Sequence, residues 1–400
     1  MEIVGDPDVG LQTDLVRLRE RSARRAATAA VAARRVVYSA AGLYAVVFAA
    51  AAALHFLVFQ SAHADLGAMA QAVWSTSHGH FLETTTLAGR NTTRLAAHVD
   101  PFLVLLVPLW WVWSSPLMLV VVQAIAVSTG ALPVYWLARK HFCSDRAAVN
   151  LALAYLIFPA TQFSAFTIAG GFHAVSIAVP LILFAIWFLD EDRLVPFALF
   201  ALLAASTKEE IPAAVGCLGI WYAVRKGKRL VGLSIFVLGL TVSLADFLVV
   251  IPHFSPSGID PFVGRYQQVG GTPRGILHTA ISDPTALVHA VATTHKLAYV
   301  LLLLAPMLGL WLLEPLLFLG AIPDLVINLL SGKSDQTLIS YPGAAGIVPF
   351  AIAATIFGAA RLKRDPNRVS LYVLIGVASI AVYSPIVQAR SDLSAWSSPA

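Results

Sequence analysis

Charge is scarce in this chain: only 12% of its 400 residues are Asp, Glu, Lys or Arg. A soluble domain needs roughly a quarter of its residues charged to present a water-compatible surface. A water-exposed globule is therefore excluded, and lipid must replace water over most of the surface. Cysteine is scarcer still. Cys143 and Cys217 are the two present, one in a short basic loop and one inside an apolar run, which excludes a disulfide framework. There is no Walker A motif, no dinucleotide-binding glycine fingerprint after a strand, no His-Glu-x-x-His and no cysteine metal cluster. These absences argue against a nucleotide-powered pump.

What is abundant is apolar: 58% of the residues are hydrophobic, and the mean hydropathy is +0.76. At about 20 apolar residues per crossing, membrane segments read at Val36 to Phe59, Pro116 to Ala138, Ala147 to Thr167, Ala174 to Leu189, Leu194 to Thr207 and Ile211 to Val224. They continue at Leu230 to Ile251, Leu297 to Leu313, Pro315 to Leu330, Gly343 to Ala360 and Val369 to Val387. The expected fold class is all-α, a polytopic transmembrane helical bundle of about 11 spans. Phe102 to Trp113 is too short to cross and reads as a helix in the outer interface, anchored by Trp110, Trp111 and Trp113.

With no repeat and no linker, residues 36–388 read as one integral domain with outer loops at 60–115 and 252–295. A cytoplasmic basic tail (1–35) precedes it and a short extracytoplasmic tail (389–400) follows. The tail is no cleavable signal peptide, because the apolar run after it is far longer than an h-region. Leu11, Leu15 and Leu18 among arginines suit an amphipathic helix on an anionic membrane face; a disordered basic tail is the alternative.

The net charge of +5 and pI of 9.3 come from short basic runs between apolar segments rather than from a basic face, which speaks against nucleic acid. With the amino terminus inside, the cytoplasmic side holds seven Lys/Arg in the tail, three around Arg139, Arg193, four at Arg225 to Arg229 and four at Arg361 to Arg368, 19 of the 27. Positive-inside topology explains that asymmetry. It sends Asp65, His98, Asp100, His173 and Lys208-Glu209-Glu210 to the outer face.

Asp65 follows the first span directly. A carboxylate at the lip of a cavity can take a proton from a hydroxyl, although aspartate is also a favoured helix N-cap. His98-Val99-Asp100-Pro101 sets two polar side chains two apart before a proline that favours extended backbone. Such side chains point the same way and could share a substrate hydroxyl or a metal, or bond each other. Gly170-Gly171-Phe172-His173 closes a short turn that projects His173 toward the same side as Asp65; an interfacial histidine without function is the alternative. Lys208-Glu209-Glu210 lies between two apolar runs, where charges are costly and normally face a cavity. The lysine could hold a phosphate while a glutamate orients it or a sugar; the alternative is a self-neutralising turn. Arg265 and Arg274, beside Asp260, Tyr266 and two glycines, could clamp an anionic headgroup; ordinary solvated loop charge is the alternative. Asp324 and Asn328, four apart on one helix face, suit a contact with another helix.

The order Asp65-Leu66-Gly67, Gln71-Ala72-Val73-Trp74, His78-Gly79 and His98-Val99-Asp100-Pro101 resembles a family of prokaryotic polytopic membrane proteins defined by a domain of unknown function. Phe172-His173, Lys208-Glu209-Glu210 and Ile322-Pro323-Asp324 with Asn328 and Ser331 extend the likeness over most of Gln60 to Ala360. Family members often carry Phe-Glu-Pro where this chain has Val99-Asp100-Pro101, and Lys-Glu-Asp where it has Lys208-Glu209-Glu210; both replacements keep the carboxylate.

The family in turn resembles the GT-C glycosyltransferase superfamily. That likeness implies a first outer loop with juxtamembrane helices, and a sugar moved from a polyprenyl-phosphate donor to an acceptor hydroxyl at the extracytoplasmic face of a bacterial plasma membrane. It implies Asp65 as the catalytic base; the outer-face residues His98, Asp100, His173, Lys208, Glu209, Glu210, Arg265 and Tyr266 are then expected to bind substrate. No cofactor motif is present, though the outer-face carboxylates could hold a divalent cation. The expected partners are the lipid donor and the bilayer, with no nucleic acid. A transporter or flippase for a lipid-linked or anionic solute is the rival; carriers usually show repeated halves and midplane charges, whereas here the polar residues gather on one side.

Overall fold

A backbone facing lipid must satisfy its own hydrogen bonds, so a chain this apolar forms helices almost throughout. The computed structural model of the protein describes residues 7–57, 63–85, 89–166, 171–258 and 261–388, with side chains in the first helix at Arg24 and from residue 27 onward. The side chains of Leu11, Leu15 and Leu18, and residues Gln60, Gly170 and Asp260, lie outside the described residues. Among the described residues the one sheet is a two-stranded antiparallel hairpin, Glu83–Thr85 with Asn91–Thr93, in which Glu83 faces Thr93.

Among the described residues four helices are long and apolar enough to cross a membrane: Ala27–Leu57, Pro116–Phe142, Arg229–Phe254 and Pro342–Arg361. Two bent pairs, Asp145–Ile157 with Pro159–Ala165 at 59° and Pro284–Val291 with Thr294–Met307 at 67°, raise the number to six if each is one span. The first break has a simple cause. Pro159 opens the second half, and Phe158 before it takes an extended conformation (φ −65°, ψ 121°) that a helix interior does not accept.

Most other apolar segments form helices of 10–17 residues, among them Ala174–Asp190, Leu194–Ala205, Ile211–Arg225 and Pro315–Leu330. A helix of 17 residues is about 25 Å long, short of a hydrocarbon core of about 30 Å. The protein is thus all-α, with four to six candidate spans by length and composition among the described residues. Eleven counts its apolar segments, not its helices of full crossing length.

Two expectations change. Pro101–Val112 is indeed short, but Trp110 is buried in the protein while Trp111 and Trp113 are exposed, so only the latter two can act as interfacial anchors. The 252–295 stretch is not an irregular loop. It holds the helical turns Val263–Val269, Pro273–Ser282 and Pro284–Val291, the latter two capped by Thr272 and Asp283.

Pro342–Arg361, rich in alanine, is the central helix, 94% buried over its most apolar window; Arg229–Phe254 is 17% buried and turns Leu233, Val237, Leu244 and Leu248 outward. Glycines draw that outer helix onto Ile211–Arg225. A Cβ on Gly216 would lie 3.2 Å from the Cα of Gly239, and a Cβ on Gly219 would collide with the carbonyl of Gly232. Small residues permit this backbone approach where apolar burial gives no drive.

The Ala174–Asp190 helix links two polar ends. His173 stands at its N-cap position without a side-chain capping bond. At its finish, Asp190 binds Lys140 at 2.7 Å and Lys226 at 3.3 Å. Glu314, fully buried, is held near that same finish by Arg225 at 3.1 Å and by Arg361.

Candidate functional site

Helix starts and short turns bring the polar residues together at the His173 end. Asp65 lies in the first turn of His63–Ser77 rather than at its cap, because the helix begins two residues earlier than the aspartate suggests. A carboxylate there is favoured by the helix dipole. Its Oδ2 lies 3.5 Å from His173 Nε2, and its side chain is 65% exposed.

His173 is fixed by a residue that sequence reading passed over. Gln123, wholly buried in the Pro116–Thr129 helix, accepts from the His173 backbone N–H (2.7 Å) and donates to the carbonyl of Gly171 (3.3 Å). Gly171 sits at φ +68°, and a Cβ there would lie 3.1 Å from the Leu66 side chain, a conformation and a contact that favour glycine; the turn expected from Gly170 begins outside the described residues.

The Asp65 carboxyl lies below its ordinary range, chiefly through the hydrogen bond from His173, against a smaller opposing effect of burial. Burial pushes His173 the other way, towards the neutral imidazole, against the pull of Asp65. A neutral ring that donates from Nε2 keeps its lone pair on Nδ1, and that atom is buried without a partner among the described residues. Asp65, by contrast, is an exposed carboxylate on the wall of the polar cavity.

The pH consequence follows from His173. As pH falls through about 6.5, the unfolded chain takes up a proton that the folded imidazole refuses, so stability declines from there down to the lower folded pKa. Replacing His173 with glutamine should flatten the dependence of the thermal midpoint between pH 7.5 and 5, measured by scanning fluorimetry. An unchanged slope would place the acid sensitivity elsewhere.

His98 and Asp100 take different protein partners, and Asp100 does not hold the extended geometry expected before Pro101. Asp100 instead adopts φ −122°, ψ 55° ahead of the turn Pro101–Leu106, so the two side chains diverge. His98 Nδ1 pairs with Glu209 Oε1 at 2.9 Å, and Glu209 Oε2 accepts from the Val99 backbone N–H at 3.1 Å. Asp100 accepts from Arg94 Nε at 2.6 Å, while its Oδ1 is buried without a partner among the described residues. Burial raises the Asp100 carboxyl, with Arg94 opposing. Burial also pushes Glu209 up, but the charge and hydrogen bond of His98, with Lys208, outweigh it and hold the carboxylate below its usual range.

Lys208 is paired with Glu210. Burial alone would lower its ammonium; Glu210, Glu209 and Asp324 together raise it. Asn328 makes the interhelical contact its position suggested, donating to Tyr299 Oη at 3.0 Å and to the Gly343 carbonyl at 2.8 Å.

Two cavities adjoin here. The first, about 310 Å³, is polar and includes Asp65, Arg94, His98, Asp100, His173 and Lys333. The second, about 320 Å³, is largely apolar, with Phe247, Val263, Ile276, Val326, Ile327 and Leu330. His98, Lys208, Phe262, Arg265 and Gln336 border both. Phe262 stacks on His98 with ring centres 4.8 Å apart, and the Arg265 guanidinium lies 4.0 Å over the same phenyl ring.

Of the expected binding residues, Glu209, Glu210 and Tyr266 line the second cavity. Arg274 lines neither; it is exposed on the Pro273–Ser282 helix, so the two-arginine clamp is not formed. Among the described residues no group of three or more His, Cys, Asp or Glu is set to hold a metal ion. Glu209 and Glu210 are instead taken up by His98 and Lys208.

A predominantly helical bundle with apolar outer faces and a charged double cavity defines an integral membrane protein. The chain belongs to the family described as "Predicted membrane protein (DUF2079)", which matches residues 55–392. No curated protein and no solved structure matches it.

Proposed function

We propose that this protein is a GT-C-like membrane glycosyltransferase of about eleven membrane segments, moving a sugar from a polyprenyl-phosphate donor to an acceptor hydroxyl at the extracytoplasmic face. The observation that carries the reading is the pair of adjoining cavities with cations on their common border. A sugar suits the polar side and the first isoprene units suit the apolar side, with the phosphate between them at Lys208 and Arg265. The Asp65 carboxylate takes the acceptor proton as the oxygen attacks the anomeric carbon. The bond from that carbon to the phosphate oxygen breaks, and polyprenyl phosphate leaves with the electron pair. His98, Asp100 and His173 hold the reactants, and the cations offset charge developing on the phosphate, where such groups contribute most.

Of the two cations Arg265 is the freer. Lys208 is committed to Glu210, whereas Arg265 has an aromatic face and no carboxylate partner among the described residues. Purified protein should bind polyprenyl phosphate saturably in native mass spectrometry, and Arg265→Gln should weaken binding by about tenfold, the loss of one charged hydrogen-bonded contact. Equal binding by parent and variant would take the phosphate away from this border. Binding without any transfer to a panel of hydroxyl acceptors would favour a flippase.

A further inference from the structure

A third cavity, about 750 Å³, opens at the far end of the Ala174–Asp190 helix, about 20 Å along that helix from His173. Trp136 and Trp187 form part of its wall with ring centres 5.7 Å apart. Lys140 lies 5.7 Å over Trp187, and Arg193 lies 5.2 Å over Phe188. Arg34 and Arg139 complete the cationic lining, against a single carboxylate, Asp145.

The ion pairs divide these cations into two kinds. Arg139 is held by Asp145 at 2.6 Å, and Lys140 by Asp190 at 2.7 Å and by Glu191. Arg34 and Arg193 have no carboxylate partner among the described residues, and both are exposed. Two free guanidiniums over a tryptophan-lined cavity match a phosphate, which arginine binds bidentately.

The flanks of the cavity indicate the source of that phosphate. Val31 and Val36 on the first helix, and Leu194 and Val195 beyond Arg193, are exposed aliphatic side chains, as a surface facing acyl chains requires. Tryptophans between such a surface and basic residues mark the headgroup level of a bilayer, and basic pockets between membrane helices receive anionic headgroups.

We propose that this cavity binds the headgroup of one anionic phospholipid, with its phosphate on Arg34 and Arg193 and its acyl chains along the exposed aliphatic flanks. The site is independent of the transfer chemistry at the other end.

Native mass spectrometry of the full chain, released from vesicles of phosphatidylglycerol and phosphatidylcholine in equal parts, tests it. The parent should retain one phosphatidylglycerol in preference to phosphatidylcholine. Occupancy should fall about tenfold in Arg34→Gln/Arg193→Gln and by less in either single variant. Arg364→Gln, which removes an exposed charge outside the cavity, should bind as the parent does. Undiminished retention in the double variant, no preference for the anionic lipid in the parent, or equal losses in the double and Arg364 variants would each overturn the proposal. So would displacement of the lipid by millimolar inorganic phosphate, which would mark a free-anion site. Thermal midpoints of all variants, expected within a few degrees of the parent because both arginines are exposed, separate lost binding from lost folding.

Discussion

Asp65→Asn should reduce sugar transfer by about 10²–10⁴-fold, the usual contribution of a positioned general base, while donor affinity stays within about twofold. Asparagine has the shape of aspartate and keeps a contact with His173, but it cannot take the acceptor proton. The carboxylate is exposed and aimed at the polar cavity, away from the border that the phosphate would occupy. Binding and turnover should therefore separate in this variant. The measurement is donor binding by native mass spectrometry beside single-turnover transfer with the same preparation. Parent-like turnover would remove Asp65 from the mechanism, and a matching loss of binding would make it a ligand contact instead. Because its carboxyl already lies below the usual range through His173, it is ionised at neutral pH. Parent activity should accordingly show no acid limb from this group above about pH 4, the unperturbed aspartate value.

Lys208→Ala should be the most destabilising single change at the site. Glu210 is only 3% exposed and is neutralised by this lysine. Removing one member of a buried ion pair costs about 3–5 kcal/mol, because the other charge is stranded. Lys208→Met/Glu210→Gln, which removes both charges and keeps most of the volume, should recover most of that loss. A thermal scan of the parent, Lys208→Met, Glu210→Gln and the double variant gives the coupling, with Lys208→Ala measured beside them. If Lys208→Ala melts with the parent, the pair does not hold this turn. The same reasoning makes Lys208→Ala a poor binding probe and Arg265→Gln a better one.

The site was legible where a residue was chemically out of place. Asp65, His98 and Lys208-Glu209-Glu210 stand out because polar groups are rare in an apolar chain, and the structure brings them round one pair of cavities. Pairings were not legible, because the partners are far apart in sequence: His98 and Glu209 are separated by 111 residues. Gln123 was missed for a different reason. A single amide in the middle of an apolar helix gives no sign of which backbone it will clamp.

Helix existence followed from hydropathy, but span count did not. Hydropathy averages over a window, whereas a crossing depends on continuous length, which Pro159 and similar breaks interrupt. Arg94 lay in the polar stretch from the outset, yet only the hairpin before it, through the bond from its backbone N–H to Leu82, aims it at Asp100.

The glycine contact between Ile211–Arg225 and Arg229–Phe254 makes the outermost helix a mechanical part of the site. Glu210 is the residue from which the inner helix starts, so that helix acts as a stiff rod with the charged turn at its tip. A single methyl group added at Gly219, about 13 Å down the rod, must push the two helices apart and drag the tip with them. Damage at a lipid-facing seam would thus be felt as a defect in the cavity, and a compensating change is to be sought in the partner helix, not beside Asp65.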